Sequence, residues 1–556
     1  MSLSGEIPSA VRPPPPQDPA LRRVRPAAWP GLALALLLAL PVLWVAAHLL
    51  LPLTPIGRGL LASVIPGYAW TSALLAALVA TGAVLVGVPA AWLIATTRFP
   101  GRDLLAWLLV LPLAVPAYIM AWIYFDLLGA SGPVRAAIAA STGLAPRDLA
   151  WLSVASLPGA AVILATALYP YVYLAARAAF SELSAAPLET ARMLGCGPWG
   201  VFRRVALPLA RPAIAAGAAL VIMETLADFG TVSFLGVPTL ASGVYRAWLS
   251  QGDRVAATQI AAMLLVAIAA LILVERLLRL GRRHQNPSES DRALVPRRLH
   301  GWRAGAALTL CTMPVLIGFV IPALRLVWLI LGPSGRLPDA RFTALLANSL
   351  TLALLVALLA VGLALVMVRE RGRPTATGRL ASGIVALGYA VPGPVIAVGV
   401  LALATQLDRV LGPLVAGDRP TLVLTGSLVL LVYACLVRYL AVALGPIRAA
   451  LDRLAPSLEP AARSLGAGPW RRLRRIVLPL VAPSLAAAGL IVFVDVLKEL
   501  PMTFALRPFD FDTLAVRTFN LARDERFAEA ATPSLVLVLA GLGPAILLSR
   551  KIRARR

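Results

Sequence analysis

One 22-residue stretch occurs twice in this chain. Residues 191–212 read ARMLGCGPWGVFRRVALPLARP and residues 462–483 read ARSLGAGPWRRLRRIVLPLVAP, at a constant offset of 271, with 13 positions identical and no gap. The identities include Gly195/Gly466, Trp199/Trp470, the Arg203-Arg204/Arg474-Arg475 pairs and Pro208/Pro479. A match of this length requires a fold built from two copies of one unit, each about half of the chain. Each copy is a polar, Arg-rich island between long apolar runs.

Those runs fix the fold class. Uncharged stretches of roughly 20 residues, enough to cross a bilayer, recur from end to end. Only 14% of residues are charged, against about 25% in a soluble domain. The chain is therefore expected to be an all-α polytopic membrane protein of about twelve helices in two pseudo-symmetric six-helix halves. Residues 1–28, polar with Pro13 to Pro16 in a row, read as a disordered cytoplasmic tail. The run Gly31–Leu51 is longer than a signal-peptide core and reads as an uncleaved first span. The remaining spans of the first half centre on 70–96, 104–125, 150–176, 213–235 and 256–275. Those of the second half centre on 304–331, 345–368, 380–406, 421–437, 484–505 and 531–549. The halves then run 29–281 and 304–556, with a hydrophilic cytoplasmic linker over 282–303 and the repeated loops near 181–212 and 452–483.

A formal net charge of +25 would suggest nucleic acid for a soluble protein. Here the basic residues lie between apolar runs, and the positive-inside rule accounts for them. No nucleic-acid partner is expected. With the N-terminus inside and the spans alternating, 36 Lys and Arg fall on the cytoplasmic side and 13 outside, with Arg325 and Lys498 within spans. This arrangement puts both termini and both repeats in the cytoplasm.

Leu183–Leu194 and Leu454–Leu465 read as short helices, with Pro187 and Pro456 in their first turns. Gly195 and Gly466 fall where a helix C-terminus takes positive φ. Gly-Pro-Trp then makes a turn, a second short helix carries the Arg pair, and Leu-Pro-Leu re-enters the membrane. Two such loops at identical spacing read as a shared docking surface.

Four carboxylates lie inside spans: Glu224 and Asp228 in VIMETLADFG, and Asp495 and Glu499 in VFVDVLKELP. The offset of 271 relates Glu224 to Asp495 and Asp228 to Glu499. Four residues apart, each pair is expected on one helix face. Ionisable groups in spans are costly and mark function by default, so all four are candidates for a translocation pathway. They also fit a wetted or paired set near the outer end, with Lys498 beside Asp495 and Arg246 or Arg254 serving the first copy. Asp126, near Tyr118 and Tyr124, is a weaker pathway candidate. Cys196, Cys311 and Cys435 are widely spaced and form no CxxC. No metal site is assigned.

A P-loop needs Lys followed by Ser or Thr. The chain has only Lys498, before Glu499, and Lys551, before Ile552. No cofactor is expected here, the chain is not expected to be an enzyme, and any ATP hydrolysis belongs to a partner.

ETARMLG…VALPLARP and PAARSLG…IVLPLVAP resemble the cytoplasmic EAA loop of ABC-importer permeases. In the first copy Glu189, Ala191 and Gly195 match the pattern, with Thr190 in place of its first Ala, and Pro208 lies in the hydrophobic-Leu-Pro element. In the second, Ala461, Ala462, Gly466 and Pro479 match, while Pro460 takes the Glu position and Glu459 sits one residue early. The resemblance implies a type I importer fold with both halves on one chain. It also implies loops that couple to a separate ATPase, expected as a homodimer, and a periplasmic binding protein at the external segments 236–256 and 506–530. The stretches 226–259 and 495–535 are similar to fused permeases of bacterial ferric-iron importers, with thiamine, polyamine and aminoethylphosphonate permeases as near relatives. Ferric iron is hard and favours oxygen ligands. The implied function is inner-membrane import of ferric iron. An ion-coupled secondary transporter is a more distant alternative that would leave the twin loops unexplained, as a membrane-embedded enzyme or scaffold would leave the carboxylates.

Overall fold

The structure, a computed structural model, describes residues 29–52, 54–280, 296–333, 340–368, 376–416, 422–455 and 457–554. The tail 1–28, Pro456 and most of the linker lie outside the described residues. Among the described residues, eleven helices are long and apolar enough to cross a membrane, and a bent pair makes twelve. Runs of Ala, Leu and Val satisfy every backbone group within the helix, as a bilayer interior demands.

The offset of 271 survives in three dimensions. Leu157–Ser181 maps onto Leu428–Asp452, and Pro198–Val201 onto Pro469–Arg472. Packing within each half relies on small residues. A side chain at Gly87 would strike the backbone of Tyr173, and one at Gly217 would strike Val172.

Prolines explain where the spans depart from the sequence expectation. The span expected at 104–125 is two segments, Arg102–Ala114 and Ala117–Thr142, bent by 90°. Val115 is extended there and Pro116 caps the second piece, because Pro cannot continue the hydrogen-bond ladder. The span expected at 380–406 likewise divides around Pro392 into Ala376–Ala390 and Gly393–Ala416. Expected spans 150–176 and 421–437 run instead over Leu157–Ser181 and Leu428–Asp452, which carries Arg177 and Arg438 into the protein interior. The segments 213–235 and 484–505 end sooner, at Ala227 and Leu497.

The second short helix expected after each Gly-Pro-Trp is not separate. Pro198–Val201 passes through a π-turn, Phe202–Ala206, straight into Leu207–Ala227, and Leu473–Val477 does the same before Leu478–Leu497. A third π-turn, Leu316–Val320, also ends two residues before a proline, Pro322. In each case the proline lacks the N–H that residue i−4 would accept, and the preceding ladder widens to i→i+5.

Each half lends its first helix to the other. Trp29–Ala47 packs on Ala376–Ala390 and Gly393–Ala416, and the Tyr433 hydroxyl donates to the Leu37 carbonyl at 2.6 Å. Conversely, Tyr124 donates to the Ile317 carbonyl at 2.6 Å, and Arg325 closes on Asp126 at 2.6 Å. The end of the linker is tied down too: Arg297 and Arg298 pair in parallel with Thr97 and Arg98.

The Arg325–Asp126 pair is buried, at 11% and 13% side-chain exposure. Removing one partner strands a charge, at a cost of about 3–5 kcal/mol. Arg325→Met alone should therefore lower the unfolding temperature in detergent sharply, and adding Asp126→Leu should restore most of the loss. A double variant no more stable than the single one would contradict this.

Candidate functional site

The long helices Leu207–Ala227 and Leu478–Leu497 both break at matching points. Short helices follow, Gly230–Phe234 in one half and Pro501–Leu506 in the other. The two come so close that a side chain at Gly230 would strike Tyr118 and Leu500. The breaks divide the carboxylates that the sequence placed on one helix face. Glu224 and Asp495 stay on the long helices, while Asp228 and Glu499 fall in the joints.

The joints need them. A helix start exposes N–H groups that lack carbonyl partners. Asp228 accepts from the Val232 N–H and from the Thr231 hydroxyl, both at 3.0 Å. Glu499 accepts from the Met502 N–H at 2.9 Å and from the Tyr439 hydroxyl. Both carboxylates act as caps with both oxygens engaged.

All four carboxylates nevertheless line one cavity of about 240 Å³ between the halves. Tyr118, Tyr171, Tyr389 and Tyr439 share its wall, with Arg438 and Lys498. Behind Tyr118 and Phe229 an aromatic cluster from both halves packs closely: Phe229 lies 4.0 Å from Tyr245, 5.7 Å from Phe504 and 5.9 Å from Phe519, centroid to centroid.

The cations differ from those expected. Neither Arg246 nor Arg254 serves Glu224. Arg246 lies over the Tyr68 ring, and Glu224 instead faces Arg438 of the other half, with Nη2 3.9 Å from Oε2. Lys498 stays within the field of Asp495 but directs its ammonium to the Leu113 carbonyl at 3.1 Å. Asp126 does not line the cavity, being held by Arg325. Sequence reasoning missed Arg438, because its span was ended one residue early, at Val437. The available signal is that Arg438 is followed by YLAVALG, an uncharged run that continues the span.

The repeated loops have a consistent build. Ala185–Met193 and Leu458–Ser464 are the short helices. Gly195 (φ +82) and Gly466 (φ +74) terminate them, and the N–H of each donates back to Arg192 at 3.0 Å and to Arg463 at 2.9 Å. Ala191 and Ala462 are buried and anchor the helices, whereas Glu189, Ala461 and both glycines are exposed. Pro208 and Pro479 sit just past the π-turns, the first half-buried and the second exposed. Exposed apolar groups recur at matched positions: Leu194 and Leu465, at 79% and 84%, and Trp199 and Trp470, at 70% and 69%. Matched exposed Leu and Trp in both copies make a paired apolar surface.

Residues 83–284 and 357–542 match the family described as binding-protein-dependent transport system inner membrane component. The chain belongs to this family. The permease is 26% identical over 484 residues to the Fe(3+)-transport system permease protein FbpB 2 of Haemophilus influenzae, across 86% of its own length and 88% of that protein's. The molybdenum transport system permease protein ModB of Escherichia coli is 29% identical over 227 residues, 38% of the permease and 95% of ModB. The 2-aminoethylphosphonate transport system permease protein PhnU of Salmonella paratyphi A is 28% identical over 201 residues, 35% of the permease and 68% of PhnU. Relatives such as ModB match well under half of this chain.

The permease is thus a multi-pass inner-membrane subunit of an ABC importer. ATP hydrolysis lies on a separate subunit, and a substrate-binding protein is a further partner. Among the described residues, no three His, Cys, Asp or Glu side chains converge closely enough to hold a metal ion. The permease cavity offers dispersed charge rather than a chelating cage, and a cargo bound that way can leave again.

Proposed function

We propose that this permease conducts ferric iron inward through the cavity between its halves. The observation that carries the reading is the cavity's charge: four carboxylates against two cations, with four tyrosines in the same wall. Carboxylate and phenol oxygens are hard donors suited to a hard cation, and an anionic cargo would be disfavoured by this balance. The full-length similarity to an Fe(3+)-transport permease supports the same reading. In this scheme both termini and both loops face the cytoplasm. The loop segments near 181–212 and 452–483 receive a homodimeric ATPase, with Glu189, Ala191, Gly195 and Pro208 in one arm and Ala461, Ala462, Gly466 and Pro479 in the other. The segments 236–256 and 506–530 receive the loaded binding protein outside. ATP closes the ATPase dimer, the two arms move together and the halves rock open outward, and hydrolysis resets them.

One observation favours a second reading. Four tyrosines around the cavity would also suit an organic ammonium by cation–π attraction, as in aminoethylphosphonate, thiamine or a polyamine.

Reconstitution with the cognate ATPase and binding protein in proteoliposomes tests the choice. ATP-dependent accumulation of radiolabelled iron is expected, with none of molybdate. Uptake of molybdate or of an organic amine in place of iron would overturn the assignment, and uptake driven by an ion gradient with no ATPase would overturn the scheme.

A further inference from the structure

The cavity is symmetric in its acids and asymmetric in its bases. Glu224 and Asp495 correspond across the repeat, as do Asp228 and Glu499. Tyr118 and Tyr389 also correspond by the offset of 271 and share the wall. Arg438 and Lys498 have no basic counterparts: the offset places Ala167 and Ala227 at their positions, and both alanines line the same cavity. Lys498 is turned aside to the Leu113 carbonyl. Arg438 is the cation facing Glu224, at 3.9 Å.

Its contact with Glu224 is not a closed salt bridge. At 3.9 Å it exceeds the ~2.7–2.9 Å of a charge-assisted hydrogen bond. Among the described residues the buried Nε of Arg438 has no hydrogen-bond partner, so the guanidinium has a donor to spare. The same protein shows what a structural inter-half pair looks like: Arg325 closes on Asp126 at 2.6 Å, away from the cavity. Arg438 also lies close against Gly393. A side chain at Gly393 would come within 3.0 Å of its Nη1 and 3.4 Å of Glu499 Oε1. Its head faces Glu224 of the other half and lies 5.7 Å from the centre of the Tyr439 ring, in a wall shared with Glu499 and Tyr389.

We propose that Arg438 is a specificity-determining residue, a tethered monovalent cation that occupies Glu224 until a cargo of higher charge displaces it. Coulomb attraction scales with the charge of the cation. A potassium or sodium ion gains no more from Glu224 than the guanidinium already does, and it must also meet the repulsion of Arg438. A trivalent ion gains more from Glu224 and Asp495 together, and it moves the loosely held guanidinium off its partner. The single added charge of Arg438 thus makes the path selective by valence while leaving it open to iron. The inference rests on the cation reading above and adds the residue that enforces it.

The test uses the full complex in proteoliposomes, with ATP turning over and the binding protein present. Wild type, Arg438→Gln and Arg438→Lys are compared for iron uptake and for leak of radiolabelled rubidium and manganese. Arg438→Gln should raise the rubidium and manganese leaks by about tenfold, a change of about 1.4 kcal/mol in the barrier, while iron still crosses. Arg438→Lys, which keeps the charge and loses the planar fork, should stay tight. Unchanged leaks in Arg438→Gln overturn the proposal, as does a leaky Arg438→Lys. If Arg438→Gln fails to assemble, the Lys variant alone decides, since a leak there shows that charge is not the determinant. A wild-type complex that imports an anion, and loses it in Arg438→Gln, would make Arg438 a cargo ligand; that result refutes the cation reading itself and is recognisable as such from the wild-type assay.

Discussion

Gly195→Pro is expected to abolish iron uptake almost completely while the permease still inserts and still binds its ATPase, and Gly466→Pro should do the same. Gly195 holds φ at +82° and Gly466 at +74°, and a prolyl ring fixes φ near −65°. The substitution also removes the N–H that each glycine donates to Arg192 or Arg463. A loss of about 3 kcal/mol or more in the native loop conformation corresponds to over a hundredfold in its population. The exposed Leu194 and Trp199, or Leu465 and Trp470, would then no longer be presented at a fixed angle to the long helix behind them. That helix is continuous from Pro198 to Ala227, and from Pro469 to Leu497, so a push on the loop is carried directly to the joint at the cavity. Because the halves must move together, one broken arm should uncouple as completely as two. ATPase activity measured beside uptake in the same vesicles decides the matter: hydrolysis should persist while transport stops. Gly195→Ala, strained by about 1–2 kcal/mol at positive φ, should couple at a reduced level. Normal uptake in an inserted, ATPase-bound Pro variant would refute the coupling role of these loops.

The duplication and the helical class were legible because both are written in long-range pattern: a constant offset and recurring uncharged runs. The positive φ of both glycines was legible because a short helix ending in Gly leaves few alternatives. The joints were not. Pro112, Pro116 and Pro392 stand in plain view, but transmembrane helices accept Pro41, Pro89 and Pro170 without breaking, so the residue alone does not say which proline divides a span. Arg438 was hidden for a related reason. Ending a span at its first charge is sound when the charge meets lipid or water, and it fails when the charge meets Glu224 of the other half, 214 residues earlier in the chain. The division of the four carboxylates into caps and free acids depends on where Leu207–Ala227 and Leu478–Leu497 stop, within a residue or two. Periodicity does not resolve that margin.

That division makes the second large effect specific. Replacing Glu224 and Asp495 together by Ala is expected to cut iron uptake per folded complex by about a hundredfold. These two have acceptor capacity to spare: Asp495 accepts no hydrogen bond among the described residues, and Glu224 has its 3.9 Å approach to Arg438 and the nearby Tyr389. A contact to a charged group is worth about 1.5–3 kcal/mol, so losing two at the low end already gives that factor. The joint carboxylates should behave in the opposite way. Asp228→Ala and Glu499→Ala each remove a helix cap worth about 1 kcal/mol, and the second also leaves the Tyr439 hydroxyl without its acceptor. Their first symptom should be a lower unfolding temperature, with uptake falling only in proportion to the folded complex that remains. Asp228→Asn, which keeps a carbonyl oxygen for the Val232 N–H, should recover most of the stability. Uptake per folded complex, measured across the four positions, separates the roles. If the Glu224/Asp495 double variant transports iron at the wild-type rate, the cargo does not pass these side chains. If the Asp228 and Glu499 variants lose uptake at full stability, the caps are part of the path as well.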